Sequence, residues 1–151
     1  MESKYDSLNL KNQLCFPIYL CSKEIIRKYT PLLAETNLTY TQYIVMMYFW
    51  DKQKSNVKEI GDALLLDSST LTPLLKKLEN KGFITRVRST IDERKLDIAI
   101  TKKGMDLRDK VLPIPNKMEK CLDLTDEEIK ILYKLTYKIL KNTQKEDEKW
   151  Q

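Results

Sequence analysis

A cysteine stands in "NQLCFPIYL", residues 12–20, beside Phe16 and four residues ahead of Tyr19. A free thiol either fills a core as a small apolar group or meets an oxidant as a nucleophile. Residues spaced i, i+4 share a face of an unbroken helix, so the Tyr19 phenol can donate a hydrogen bond to a Cys15 thiolate. Tyr29 lies further along, about 21 Å from Cys15 on a straight helix at 1.5 Å per residue. It reaches a Cys15 only from a second copy of the chain, or if the helix folds back. Pro17 leaves two local geometries open. In a helix interior it costs about 3 kcal/mol and frees the carbonyl of Gln13. If the helix starts at Pro17 instead, Cys15 sits just ahead of an N-terminus whose dipole favours an anion. Cys15 is a candidate sensor thiol in either case, whereas Cys21 falls on the apolar stripe of Leu14, Ile18 and Ile25 and reads as core.

Other chemistry is excluded by what is missing. The chain contains no histidine, so Ser-His and Cys-His nucleophile pairs, HExxH metal sites and histidine general bases are ruled out. Its three cysteines, Cys15, Cys21 and Cys121, match neither CxxC nor zinc-ribbon spacing. Three glycines, Gly61, Gly82 and Gly104, supply no phosphate loop and no GxGxxG. An enzyme, a metal centre and a bound cofactor are therefore not expected.

A second set of residues suits DNA. "SSTLTPLLKKLENKG", from Ser68, places Leu71, Leu74, Leu75 and Leu78 on one face and stops at Gly82. Its opening offers Ser68, Ser69, Thr70 and Thr72, short hydrogen-bonding side chains at the end where helix amides point outward. Lys76, Lys77 and Lys81 add cations along the helix. Period-two strands follow in "FITRVRS" and "KLDIAIT", joined by the polar "TIDER", which reads as a β-hairpin carrying Arg86, Arg88, Arg94 and Lys95. An arginine at such a tip fits a narrow minor groove.

The positioning elements follow from periodicity. Apolar residues from Leu10 to Leu33 recur at steps of three and four, with prolines at 17 and 31. Thr39 caps an apolar helix over "TYTQYIVMMYFWD", and "VKEIGDALLL" forms a short helix from Val57. Thr101 caps a helix towards Leu112, "PIP" at 113–115 breaks it, and "TDEE" opens a last amphipathic helix with Ile129, Leu132, Leu135 and Ile139 inward. Helix, turn, helix and hairpin in that order make a winged helix-turn-helix. The expected fold is mainly α with a small β-hairpin, a winged helix-turn-helix flanked by N- and C-terminal dimerisation helices.

Composition agrees with a globular DNA binder. Of the 151 residues 42% are hydrophobic and 32% charged, neither disordered nor membranous, and the formal charge of +5 leans towards an anionic partner. No apolar run spans a membrane and "MESKYDSLNLKNQ" has no apolar signal region, so a cytoplasmic protein without a membrane partner is expected.

From Leu66 to Gly104 the sequence resembles the winged-helix core of the MarR family of bacterial repressors. "LCFPIY" and "LTYTQYIVM" resemble its organic-hydroperoxide-sensing branch, and the likeness extends over roughly residues 8 to 140. Asp92 and Arg94 match the family's Asp-x-Arg wing motif, and Cys15 with Tyr19, Tyr29 and Tyr40 matches the sensing branch. The resemblance implies an obligate homodimer with intertwined terminal helices on a pseudo-palindromic operator in double-stranded DNA. It places Ser68, Ser69, Thr70 and Thr72 in the major groove near Lys76, with Arg94 in the minor groove braced by Asp92. It makes Cys15 the thiol that organic hydroperoxide oxidises, hydrogen-bonded by Tyr19 and Tyr29 of the partner subunit, after which repression ends. A small thiol, or Cys121 as a possible resolving cysteine, would trap the oxidised form. The implied division is residues 1–38 for sensing and dimerisation, 39–104 for DNA binding (with Lys77 and Arg86 among the contacts) and 105–151 for C-terminal dimerisation. Three other readings stay open: release by a phenolic or other small ligand in the dimer cleft with Cys15 inert, a thiol peroxidase, and a winged helix without a DNA role.

Overall fold

The computed structural model describes residues 4–89 and 96–147, with side chains up to residue 144. Two compact units divide at Pro113–Ile114.

The first unit opens with 3₁₀ turns at Asp6–Leu8 and Leu10–Asn12, then helix α1, Cys15–Leu33. Pro17 is the third residue of α1, where a backbone N–H has no partner inside the helix in any case. The helix therefore runs unbroken from Cys15. A 3₁₀ turn at Ala34–Thr36 and the left-handed Asn37 lead to α2, Tyr40–Lys52. Thr39 caps α2 as expected, in a reciprocal box: its hydroxyl accepts from the Gln42 amide at 3.3 Å, and the Gln42 side chain accepts from the Thr39 amide at 3.2 Å.

Three residues then form β1, Lys54–Asn56, an element the sequence pattern did not show. Helix α3, Val57–Leu64, is capped by Asn56 and closed by the left-handed Leu65; α4, Ser68–Asn80, follows. Strands β2, Ile84–Arg88, and β3, Leu96–Ile100, are the expected hairpin arms. The sheet order is β1-β3-β2, antiparallel throughout, with Ser55 opposite Ile98 and Arg86 opposite Ile98 on the other side. Thr101 caps α5, Lys102–Val111, through the Gly104 amide.

The core of this unit gathers Leu33, Val45, Met46, Phe49, Ile60, Leu71, Leu75, Leu78, Ile84 and Ile98, each almost wholly buried. Three-residue and four-residue steps in α2 and α4 bring these side chains to one face, and β3 lays Ile98 between its neighbours. Trp50 Nε1 donates to the Gly104 carbonyl at 2.8 Å, fastening α5 to α2.

The second unit contains α6, Ile114–Leu122, and α7, Asp126–Asp147. "PIP" ends α5 as expected but also starts α6, because a proline is tolerated in a first turn. Thr125 and Glu128 exchange hydrogen bonds in the capping box foreseen for "TDEE". Leu132, Leu135 and Ile139, expected to face inward, are half-exposed in the chain by itself. Cys21, expected in the core, is exposed too, along with Leu14 and Ile18 of the same stripe. No helix among the described residues is long and apolar enough to cross a membrane.

Candidate DNA interface and thiol site

The outer face of α4 is built by its inner one. Burial of Leu71, Leu74, Leu75 and Leu78 leaves Ser69, Pro73 and Lys76 opposite them at 100° per residue, with Thr72 and Lys77 on the flanks. Pro73 is the sixth residue of α4, past the positions whose N–H groups lack a partner inside the helix, so its ring removes the bond that the Ser69 carbonyl would otherwise accept. Asp67, not a serine, is the N-cap. Its carboxylate accepts from the Thr70 amide at 2.8 Å, the Ser69 hydroxyl at 2.5 Å and the Thr70 hydroxyl at 3.2 Å. The Ser69 hydroxyl, followed by the Thr70 amide, holds this carboxyl below its ordinary value of 3.8. Thr72 donates its hydroxyl proton to the Ser68 carbonyl at 2.8 Å.

The cations divide into free and committed. Lys76 and Lys77 are exposed. Arg86 is not: its Nε and Nη2 donate to Glu79 Oε2 at 2.9 and 2.6 Å, and its backbone N–H to Oε1 at 3.2 Å. This fork ties β2 to α4 and holds the Glu79 carboxyl below its ordinary value. Lys81 Nζ donates to Gln42 Oε1 at 2.9 Å and to the Asn37 carbonyl, so it anchors the end of α4 to the turn between α1 and α2. Burial, followed by Lys77, pushes the Lys81 ammonium below its ordinary value. Asp92 and Arg94 lie outside the described residues.

Cys15 is the first residue of α1 and is exposed. Tyr19 shares its face and is exposed as well, its ring 5.9 Å from Lys23 Nζ. No hydrogen bond joins Cys15 to a tyrosine among the described residues. Tyr29 is half-buried and stacks instead on Tyr40 at 4.6 Å and Tyr43 at 5.8 Å between ring centroids. Since α1 is unbroken from Cys15 to Leu33, Tyr29 cannot fold back onto the Cys15 of its own chain. Tyr43, which the sequence did not single out, is buried and extends the cluster to Trp50 at 6.1 Å. Desolvation, with Tyr40 second, raises the Tyr29 and Tyr43 hydroxyls above their ordinary 10.0. Cys121 lies in the last turn of α6, exposed, in the other unit. No cluster of potential metal ligands occurs among the described residues.

The family model of the SarA/Rot transcriptional regulators matches residues 27–111, more than half of the chain. An organic hydroperoxide resistance transcriptional regulator of Bacillus subtilis is 41% identical over 140 residues, 93% of this chain and 95% of that protein. The chain belongs to the MarR/SarA family. The regulator SarZ of Staphylococcus saprophyticus is 48% identical over 129 residues, 85% of each chain. Among solved structures, AbfR of Staphylococcus epidermidis superposes with a TM-score of 0.76 at 33% identity, over 94% of this chain and 98% of that one. AbfR has been solved reduced and overoxidized on DNA, and in a disulfide form.

As a MarR/SarA protein the chain is a DNA-binding transcriptional regulator with a winged helix, not an enzyme. Within that fold α3 and α4 are the helix-turn-helix pair, and β2 and β3 the arms of the wing. The residues that sequence reasoning missed in this MarR/SarA element are Asp67 and Glu79. Asp67 carried a signal, since an aspartate ahead of "SSTL" is a strong cap residue. Glu79 carried none, because its partner Arg86 lies in another element.

Proposed function

We propose that this chain is a peroxide-responsive repressor. As a homodimer it binds a pseudo-palindromic operator while Cys15 is reduced, and it releases that operator when an organic hydroperoxide oxidises Cys15. The observation that carries this reading is the exposed Cys15 thiol at the head of an unbroken α1, beside the stripe of Leu14, Ile18 and Cys21, which is exposed among the described residues. A second subunit would bury that stripe and bring its own Tyr19 and Tyr29 to the thiol, which is hydrogen-bonded to no tyrosine among the described residues. The name of the Bacillus subtilis relative and the redox forms of AbfR support a thiol switch.

The chemistry balances without a cofactor. The thiolate sulfur attacks the terminal peroxide oxygen, the O–O bond breaks, and the alkoxide leaves and takes a proton as the alcohol. Cys15 becomes a sulfenic acid. A small thiol, or the Cys121 thiol of a second subunit, then displaces hydroxide and forms a disulfide and water. The adduct fills the interface beside α1 and separates the two α4 helices, whose half-sites stand about 34 Å apart on DNA.

On the DNA side Ser68, Ser69, Thr70 and Thr72 face the major groove, Lys76 and Lys77 neutralise phosphates, and Arg94 with Asp92 serves the wing. Arg86 braces the wing against α4 through Glu79. Fluorescence anisotropy on duplex from upstream of the gene tests the switch, with wild type and Cys15→Ser, each reduced, peroxide-treated and then returned to thiol. Tight reduced binding, lost on oxidation only in wild type and restored by thiol, is the expected result. Binding that ignores peroxide in both proteins overturns the redox reading and leaves the DNA-binding regulator.

A further inference from the structure

The opening of α4 carries four hydroxyls, and the protons of three are accounted for. Ser69 Oγ and Thr70 Oγ1 lie 2.5 and 3.2 Å from oxygens of the Asp67 carboxylate, which can only accept, so both hydroxyls donate. Thr72 donates to the Ser68 carbonyl. A hydroxyl has one proton and two lone pairs, so these three side chains present only acceptors outward. Ser68 makes no such bond among the described residues and keeps its proton.

Bases differ in what they offer a row of acceptors. In the major groove adenine N6 and cytosine N4 donate, while guanine O6 and N7 and thymine O4 accept. Phosphate oxygens also only accept. Asp67 further takes up the Thr70 amide, one of the N–H groups that a phosphate would otherwise approach, and sets a negative charge beside it.

We propose that Asp67 fixes the hydrogen-bond polarity of the reading helix: Ser69, the outermost of the three, accepts from the amino group of an adenine or a cytosine, and Ser68 is left as the phosphate donor. This rests on α4 being the helix that reads DNA, as proposed above. Thr70 and Thr72, on the flanks of the same face, carry the same polarity to neighbouring base pairs. Specificity is then dictated by a residue that itself touches no base.

The reduced full-length protein is first used to select its preferred duplex from a random pool. Each adenine of that duplex is next replaced by nebularine, which lacks the N6 amino group, and each cytosine by 2-pyrimidinone, which lacks N4. At one position per half-site the missing amino group weakens wild type about five- to tenfold. Ser69→Ala weakens the natural duplex by a similar factor and suffers no further loss from the analogue; which analogue acts tells adenine from cytosine. Asp67→Asn keeps the cap through its amide carbonyl but offers an N–H where Oδ2 stood, freeing the Thr70 proton, so this variant selects guanine or thymine at a neighbouring position. Amino-free analogues that bind like the natural duplex at every position, with Ser69→Ala still weakened, overturn the proposal and make Ser69 a donor. Ser69→Ala that binds the selected duplex unchanged overturns it as well while the DNA-reading role of α4 stands. A wild type that selects no sequence removes that role too.

Discussion

A methyl group placed on Gly104 would stand 2.2 Å from the Phe83 carbonyl oxygen and 2.8 Å from Ile100 Cγ1. The carbonyl cannot easily retreat, since Phe83 O already accepts from the Thr101 amide. Gly104→Ala is therefore expected to lower stability by about 1–3 kcal/mol, the usual cost of overpacking. Urea denaturation reads this directly, and an unchanged midpoint would refute the close fit. At this scale the sequence displayed the groups but not their partners. Cys15, the α4 hydroxyls and Arg86 could be picked out by type and spacing. That Arg86 is engaged by Glu79, or Lys81 by Gln42, depends on elements that meet only in three dimensions.

An element's acid sensitivity follows from its caps. The carboxyls of Asp67 and Glu128 cap α4 and α7, that of Glu79 clasps Arg86, and all three are held below their ordinary values. A carboxyl whose folded value is depressed stabilises the fold above its unfolded value, and that contribution is lost as pH falls through the folded one. Thermal melts followed by circular dichroism should thus change little from neutrality to about pH 5 and drop below about pH 4. Asp67→Ser, which still offers a cap oxygen, should show a shallower drop, and an acid profile identical to wild type would deny the Asp67 carboxylate its part. Periodicity made α1 to α5, α7 and both wing arms legible. It could not show β1, whose Lys-Ser-Asn has no apolar alternation and exists because the edge of β3 accepts it. Nor could it show what covers a stripe: Leu132 and Ile139 of α7 have the spacing of an inward face, yet in the isolated chain they meet solvent.

For the whole molecule, those uncovered stripes predict association. Leu14 and Ile18 in one unit and Leu132, Leu135 and Ile139 in the other are apolar surface that a lone chain would leave in water. Sedimentation across a dilution series is expected to give one species of twice the 17.9 kDa chain mass, and a 17.9 kDa species at every dilution would contradict it. The two sides of the sheet carry a different consequence. The middle strand β3 bonds on one edge to β1, which runs straight into α3, and on the other to β2, which Glu79 of α4 holds through Arg86. The base of the wing is therefore tied to α3 through the chain itself and to α4 through one charged fork. Under the proposed reading, in which α4 and the wing both hold DNA, these ties couple the two grips, and each half of the complex is expected to let go of its DNA in one motion.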